Sequence, residues 1–85
     1  MDRGGGNPEK GKAHFETAIA LNADYLMTKV IYAQQYARLT FDQELHDRLL
    51  NEVLNADPVV EGMTLTNKIA QARAAELLAT STDYF

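Results

Sequence analysis

The chain has 85 residues, enough for one small domain with a thin core, since chains near this size bury only about 60–70% of the surface they expose when unfolded. It contains no cysteine, which excludes a disulfide, a thiolate metal site, a cysteine nucleophile and a lipid-modified cysteine in the sequence given. Eight Lys and Arg are interspersed with twelve Asp and Glu for a net charge of −4, with no basic block, and this balance argues against a nucleic-acid partner, whose binding rests on neutralising phosphates.

Residues 1–6 end in Gly4-Gly5-Gly6 and read as a flexible entry segment, leaving 7–85 as one helical domain. The start MDRGGGNPEKGK has no apolar stretch, so no signal peptide is expected in it, and no later run approaches the ~18 apolar residues of a membrane helix. Asn7-Pro8 signals a helix start, with Asn7 as the cap, Pro8 in the first turn and Glu9 suited to the positive helix end. A first helix is predicted from Pro8 to about Leu21, with Phe15, Ala18, Ile19 and Asn22 near one face; Gly11 within it costs about 1 kcal/mol against alanine.

Asn22-Ala23-Asp24 predicts a short turn with Asp24 as the next cap, and a second helix over Tyr25 to Arg38. That helix carries two apolar stripes, Leu26, Val30, Ala33 and Ala37 on one side and Tyr25, Tyr32 and Tyr36 about 100° round the axis, which predicts contact on two sides. Thr40-Phe41-Asp42-Gln43 fits a capping box, with Thr40 and Gln43 satisfying two amides. The third helix then runs to about Asn55, burying Leu45, Leu49, Leu50, Val53 and Leu54, and Asp57-Pro58 stops it. After a loop over 59–63 a fourth helix is predicted from Thr64, capped by that hydroxyl, to about Thr80, with small residues at Ala70, Ala72, Ala74, Ala75 and Ala79 and larger contacts from Leu65, Ile69, Leu77 and Leu78. Thr80-Ser81-Thr82-Asp83 reads as a helix end followed by a second, hydroxyl-capped turn, and no segment carries a strand's alternation. The fold class expected is all-α, four antiparallel helices as stacked hairpins.

HFETAIALNAD and LLNEVLNADP share a beat. Phe15 and Leu50 lie 35 positions apart, as do Ala18 and Val53, and Ala23 and Pro58. This is close to the tetratricopeptide period of about 34 residues. The A-x3-F-x2-A-x4-P pattern of that repeat's second helix falls on Gly11, Phe15, Ala18 and Ala23, and on His46, Leu50, Val53 and Pro58. The first-helix pattern would fall on Val30, Ala33, Gln34 and Ala37 and matches poorly, so spacing alone leaves a repeat and a plain helical bundle both open.

The segments GGGNPEKGKAHFETAIAL, LMTKVIYAQQYARLTFDQELHDRLLNEVL and LTNKIAQARAAELLATSTDYF resemble the carboxy-terminal part of the TRAP-transporter T-component (TatT-like) family, from about Gly4 to Phe85. The YAQQYAR helix, the FDQELHDRLLNEVLNADP segment and the LL…YF ending carry the likeness. The resemblance implies a periplasmic lipoprotein of tetratricopeptide-like hairpins that docks the periplasmic solute-binding protein of a TRAP transporter and helps pass on a small hydrophobic ligand. It also implies trimers. The family's anchor segment and most of its amino-terminal helices are not in this sequence, so a piece of a longer protein is expected.

The residue constellations read as follows. Asp42 and His46 are spaced i, i+4 and could share a metal, but no third ligand is near in sequence and a helix-surface hydrogen bond is the alternative. Glu44, Asp47 and Glu52 lie on a polar face, Ser81 has no His and acid set that sequence identifies, and Gly4-Gly5-Gly6 follows no strand, so no enzyme, metal or cofactor is expected. The tyrosine stripe reads either as inter-helix core or as a partner or ligand face. The expected binding residues are Tyr25, Tyr32, Gln35, Tyr36 and Arg38, presented together by the second helix. An apolar face left open by missing helices predicts a homo-oligomer, dimer or trimer, and a stand-alone oligomerisation domain without a transport role is the alternative function.

Overall fold

The computed structural model describes residues 8–85, and the expectations for residues 1–6 and for the Asn7 cap lie outside them. Helix α1 spans Pro8–Leu21; α2 spans Met27–Ile31 and continues without a break as a π-helical segment, Tyr32–Ala37; α3 spans Gln43–Asn55, α4 Thr64–Ala79 and α5 Ser81–Tyr84. No strand occurs among the described residues, as the all-α expectation requires.

Bonds between the helices fix their directions. Glu16 of α1 meets Tyr32, Gln71 of α4 meets the end of α3, Asn67 meets Leu26, and Arg38 meets Leu77. Neighbours in sequence therefore run antiparallel, while α2 and α4 run parallel with α3 packed against both. The Cα extents, 43 × 31 × 15 Å, make a thin slab in which most helices keep a face outward.

The core is built by α2, its π extension, α3 and α4: Leu26, Val30, Tyr32, Ala33, Ala37, Leu45, Leu49, Leu50, Val53, Ala70, Ala74 and Leu77. The alanines let the backbones approach, and the leucines of α3 fill the space between. No described residue of α1 is fully buried; Phe15 and Ile19 pack half-buried against the core, whereas Ala18 and Asn22, expected on the same face, are exposed. Leu54 is also exposed, because Leu45, Leu49, Leu50 and Val53 already fill the stripe α3 can turn inward. On α4 the inward stripe is Asn67, Ala70, Ala74 and Leu77, so Leu65 and Ile69, expected as core, point to solvent.

Several caps differ from expectation. At α3, Asp42 accepts from the Leu45 amide at 3.0 Å and acts as the cap; Thr40 instead donates to the Tyr36 carbonyl at 2.9 Å, and Gln43 reaches the Ser81 hydroxyl. A cap two residues before Glu44 competes with the Thr40 box and wins, because the chain still belongs to the previous helix end at Thr40. Thr64 spends its hydroxyl on the Val60 carbonyl and amide within the preceding loop, and Thr80 spends its own on Glu76, so neither caps the helix that follows. Asp24 does not cap α2. Asn67, fully buried on α4, accepts from the Leu26 amide at 3.0 Å and donates to the carbonyls of Asp24 at 2.9 Å and Pro58 at 3.3 Å. One amide thus ties the α1–α2 turn to the α3–α4 loop. One turn on, Gln71 donates to the Val53 and Ala56 carbonyls and closes the open end of α3.

The helix after the π segment ends with Asp42 N donating to the Ala37 carbonyl at 2.8 Å and Phe41 N to the Arg38 carbonyl at 3.2 Å, a Schellman motif. Its left-handed position, commonly glycine, is Phe41 at φ 57°. A bulky residue there stores strain of order 1–2 kcal/mol.

Candidate functional site

The five residues expected to form one binding face are distributed over three environments. Tyr25 lies in the turn ahead of α2 and is partly exposed. Tyr32 is fully buried: its ring stacks on Phe15 at 4.9 Å between centroids, tilts against Tyr36 at 5.5 Å, and its hydroxyl donates to Glu16 Oε2 at 2.7 Å. Burial pushes the pKa of this phenol far above its usual value, and the Glu16 carboxylate raises it further. Tyr36 is half-buried in the same seam, Gln35 is exposed, and Arg38 is half-buried at the far end of the helix. The two stripes read from the sequence do face two neighbours, one the α3–α4 core and one α1, but the second stripe is a helix seam and Tyr32 offers no surface.

Arg38 belongs to a polar fastening that holds the carboxy-terminal helix. Its Nε donates to His46 Nε2 at 3.1 Å, its Nη2 donates to the Leu77 carbonyl at 3.3 Å, and its guanidinium sits 4.6 Å over the Tyr84 ring. Because His46 accepts at Nε2, the ring proton resides on Nδ1 and donates to Asp47 Oδ1 at 2.8 Å. The same oxygen accepts from the Ser81 hydroxyl at 2.6 Å. Phe85 packs against the imidazole at 5.0 Å. Burial alone raises the Asp47 pKa, but the bonds donated by Ser81 and His46 outweigh it and hold the carboxylate below its usual range.

This corrects two sequence readings. His46 is not on the helix surface paired with Asp42; it is fully buried, because α5 folds over it. Asp47 is not simply solvated on a polar face with Glu44 and Glu52. Its neighbours in that set behave as expected, with Glu52 pairing Arg48 at 3.2 Å and Lys29 at 3.3 Å at the surface. Serine, histidine and aspartate thus do converge, yet in an order unlike a nucleophilic triad. The carboxylate lies between the other two, so the Ser81 proton goes to Asp47 and not to the imidazole. Ser81 is also buried, out of reach of a substrate. Among the described residues, no group of three or more metal-ligating side chains gathers, and no helix is long and apolar enough to cross a membrane.

The surface around the Arg38 end has a different character. Leu39 and Phe41 are 73% and 75% exposed, Tyr84 is 46% exposed, and the Phe41 and Tyr84 rings stack at 6.5 Å. Gln35 lies one turn before Leu39. Beside this patch, Lys12, Asp42, Glu44, Leu45 and Arg48 line an open depression of about 340 Å³. Apolar rings with a rim of mixed charge are the composition of a protein-binding patch. Sequence reasoning passed over Phe41 as the second residue of a capping box; the left-handed turn that displays it leaves no local pattern.

The family model described as TRAP transporter T-component (TAtT) matches residues 2–85. Neither the curated proteins nor the solved structures give a match.

Proposed function

The chain belongs to the TRAP transporter T-component family, a transport accessory family, and on that premise we propose that it is a non-catalytic adaptor of the periplasm that docks a TRAP solute-binding protein through the patch at the Arg38 end. Leu39, Phe41 and Tyr84 form its centre, with Gln35, Tyr36 and Arg38 of the expected set at its edge and Tyr25 outside it. The observation that carries this reading is Phe41. The fold places a large aromatic ring in water on a left-handed residue where glycine would cost less. Backbone strain kept beneath an exposed ring supports a use outside the fold. The mutual packing of α2, α3 and α4 supports a tetratricopeptide-like stacking, and a hydrophobic cargo of the partner is the ligand class this role implies.

The test is affinity between the chain and the solute-binding protein of the same transport system, measured by calorimetry for the native chain and for Phe41→Gly. Glycine relaxes the backbone, so thermal stability holds or rises, while the dissociation constant increases about tenfold or more, the loss of roughly 1.4 kcal/mol. Unchanged affinity in Phe41→Gly would remove the patch from the docking role, and no binding by the native chain would remove the role itself.

A second reading concerns copies of the chain. The outward face of α4, with Leu65 74% and Ile69 53% exposed, favours self-association, either alongside docking or as the chain's own purpose.

A further inference from the structure

We propose that His46 is a proton-operated latch on the docking patch: a second proton on its ring expels Arg38 from the face of Tyr84, and partner affinity falls in mild acid; this rests on the docking reading above. His46 is fully buried, and its two ring nitrogens are committed to partners of opposite character. Nε2 accepts from Arg38 Nε at 3.1 Å, and Nδ1 donates to Asp47 Oδ1 at 2.8 Å. A guanidinium has five donors, no acceptor and a permanent charge. It can therefore pair only with the neutral imidazole.

The two sides of the ring answer a proton in opposite ways. On the imidazolium, Nε2–H points at Arg38 Nε–H, so two donors and two positive charges meet at hydrogen-bond distance in a buried setting. Nδ1–H still donates to Asp47, and that bond becomes charge-assisted. Asp47 stays ionised through this step: burial raises its pKa, but the bonds from Ser81 and His46 outweigh burial and keep it below the usual range. Arg38 is half-buried and yields by swinging into water, giving up the Leu77 carbonyl and its place 4.6 Å over the Tyr84 ring. Ser81 remains on Asp47, so α5 keeps its first residue docked while Tyr84 loosens. Tyr84 stacks on Phe41 in the patch, so its release changes the surface a partner meets. The other titratable groups on the helices around the ring are placed elsewhere. Tyr32 and Tyr36 lie in the α1 seam, and Asp42 spends its carboxylate on the Leu45 amide. Glu44 and Arg48 of α3, Lys68, Arg73 and Glu76 of α4 and Asp83 of α5 are exposed. Arg38 and Asp47 are thus the charges that decide the state of the ring.

Nuclear magnetic resonance of the native chain from about pH 8 to about pH 5 covers the range in which imidazoles titrate. The Arg38 side-chain protons, shielded by the Tyr84 ring at neutral pH, should lose that shielding in step with the His46 ring signals, while the Ser81 amide keeps its protection from exchange. His46→Gln offers Arg38 an acceptor and Asp47 a donor but has no proton to gain, and it should show no such step. Calorimetry with the solute-binding protein of the same transport system should give the native chain a dissociation constant about fivefold or more higher at about pH 5.5 than at about pH 7.5, and His46→Gln a change of less than about twofold. Arg38 signals that hold still across the range overturn the latch, whether or not the partner binds. Arg38 release accompanied by equal losses of affinity in the native chain and in His46→Gln overturns the regulation. No binding at any pH removes the docking reading, and its regulation with it, while the Arg38 signals still judge the latch. If His46→Gln does not fold, the native His46 and Arg38 signals decide the latch by themselves.

Discussion

Two helices are fastened to the same three-helix centre in opposite styles. At the amino-terminal side, α1 packs through half-buried Phe15 and Ile19, with Phe15 stacked on Tyr32 and Tyr32 bonded to Glu16, and none of its described residues is fully buried. At the carboxy-terminal side, α5 has only four residues, yet Ser81, Tyr84 and Phe85 engage Asp47, Arg38 and His46 through a connected set of hydrogen bonds and ring contacts. Length does not decide which is tighter. The fourteen-residue helix has area without depth, while the short one closes over a buried imidazole whose polar atoms are both satisfied. In a thin slab the free energy available to an edge helix depends on how many groups it can desolvate completely.

This contrast presumes that α2, α3 and α4 stay together when either edge loosens, and Asn67 is where that presumption is most exposed. Asn67→Ala removes one acceptor and two donated bonds to backbone groups of two different loops. A cost of about 3 kcal/mol or more is expected, seen as a lower denaturation midpoint for the whole chain. If only α1 loosened, Asn67 would not be what holds the centre together.

Breaking the carboxy-terminal fastening comes next. His46→Ala leaves a void under Phe85 and removes one partner each of Arg38 and Asp47, for an expected loss of about 2–3 kcal/mol. Hydrogen exchange should rise first in Ser81–Phe85. Acid acts on the same place. The Asp47 carboxyl has its pKa depressed in the folded chain, so the stability it contributes is complete above its unfolded value, about 3.9, and is lost as pH falls through the lower folded value.

Much of this architecture was legible in the residues. Pro8, Asp57-Pro58 and the leucine rhythm of α3 placed the helices within a residue or two, since caps, breakers and periodicity act locally. The double stripe on α2 announced two neighbours. What the sequence withheld was everything that depended on which neighbour arrived. Leu65 and Ile69 looked like core because leucine and isoleucine usually are, but Asn67 and the alanines of α4 already satisfy the inward face. Asn67 itself gave no sign, since its partners are backbone groups about forty positions away. The tyrosine stripe leaves core and partner face both open, and only the seam with α1 settles Tyr32 as core, while the fold-back of α5 engages Arg38. The family, by contrast, was recognisable from long segments, and the match over residues 2–85 bears it out.

The amino-terminal seam should yield to a smaller perturbation. Phe15→Ala removes a half-buried ring from the stack on Tyr32, at about 1–2 kcal/mol, less than a fully buried phenylalanine would cost. Exchange should accelerate across Pro8–Leu21 while Gln43–Asn55 stays protected. Equal acceleration in both would mean α1 is part of the cooperative core and would erase the contrast between the two edges.

Tyr32→Phe is the mildest test and the most selective. It keeps the ring, its stack on Phe15 and its burial, and deletes only the hydroxyl bond to Glu16, so about 0.5–1.5 kcal/mol is expected. Its value lies in the pH response. The folded phenol has its pKa raised, first by burial and then by Glu16, so its contribution is fully present below the unfolded value of about 10 and is lost progressively above it, as the unfolded chain ionises and the folded chain resists. Native α1 should therefore loosen in alkali beginning near that pH, and Tyr32→Phe should not show this component. Acid loosening at Asp47 should be the same in both chains, because the two fastenings share no titrating group. A Tyr32→Phe chain that keeps the full alkaline loss would place that sensitivity outside the seam.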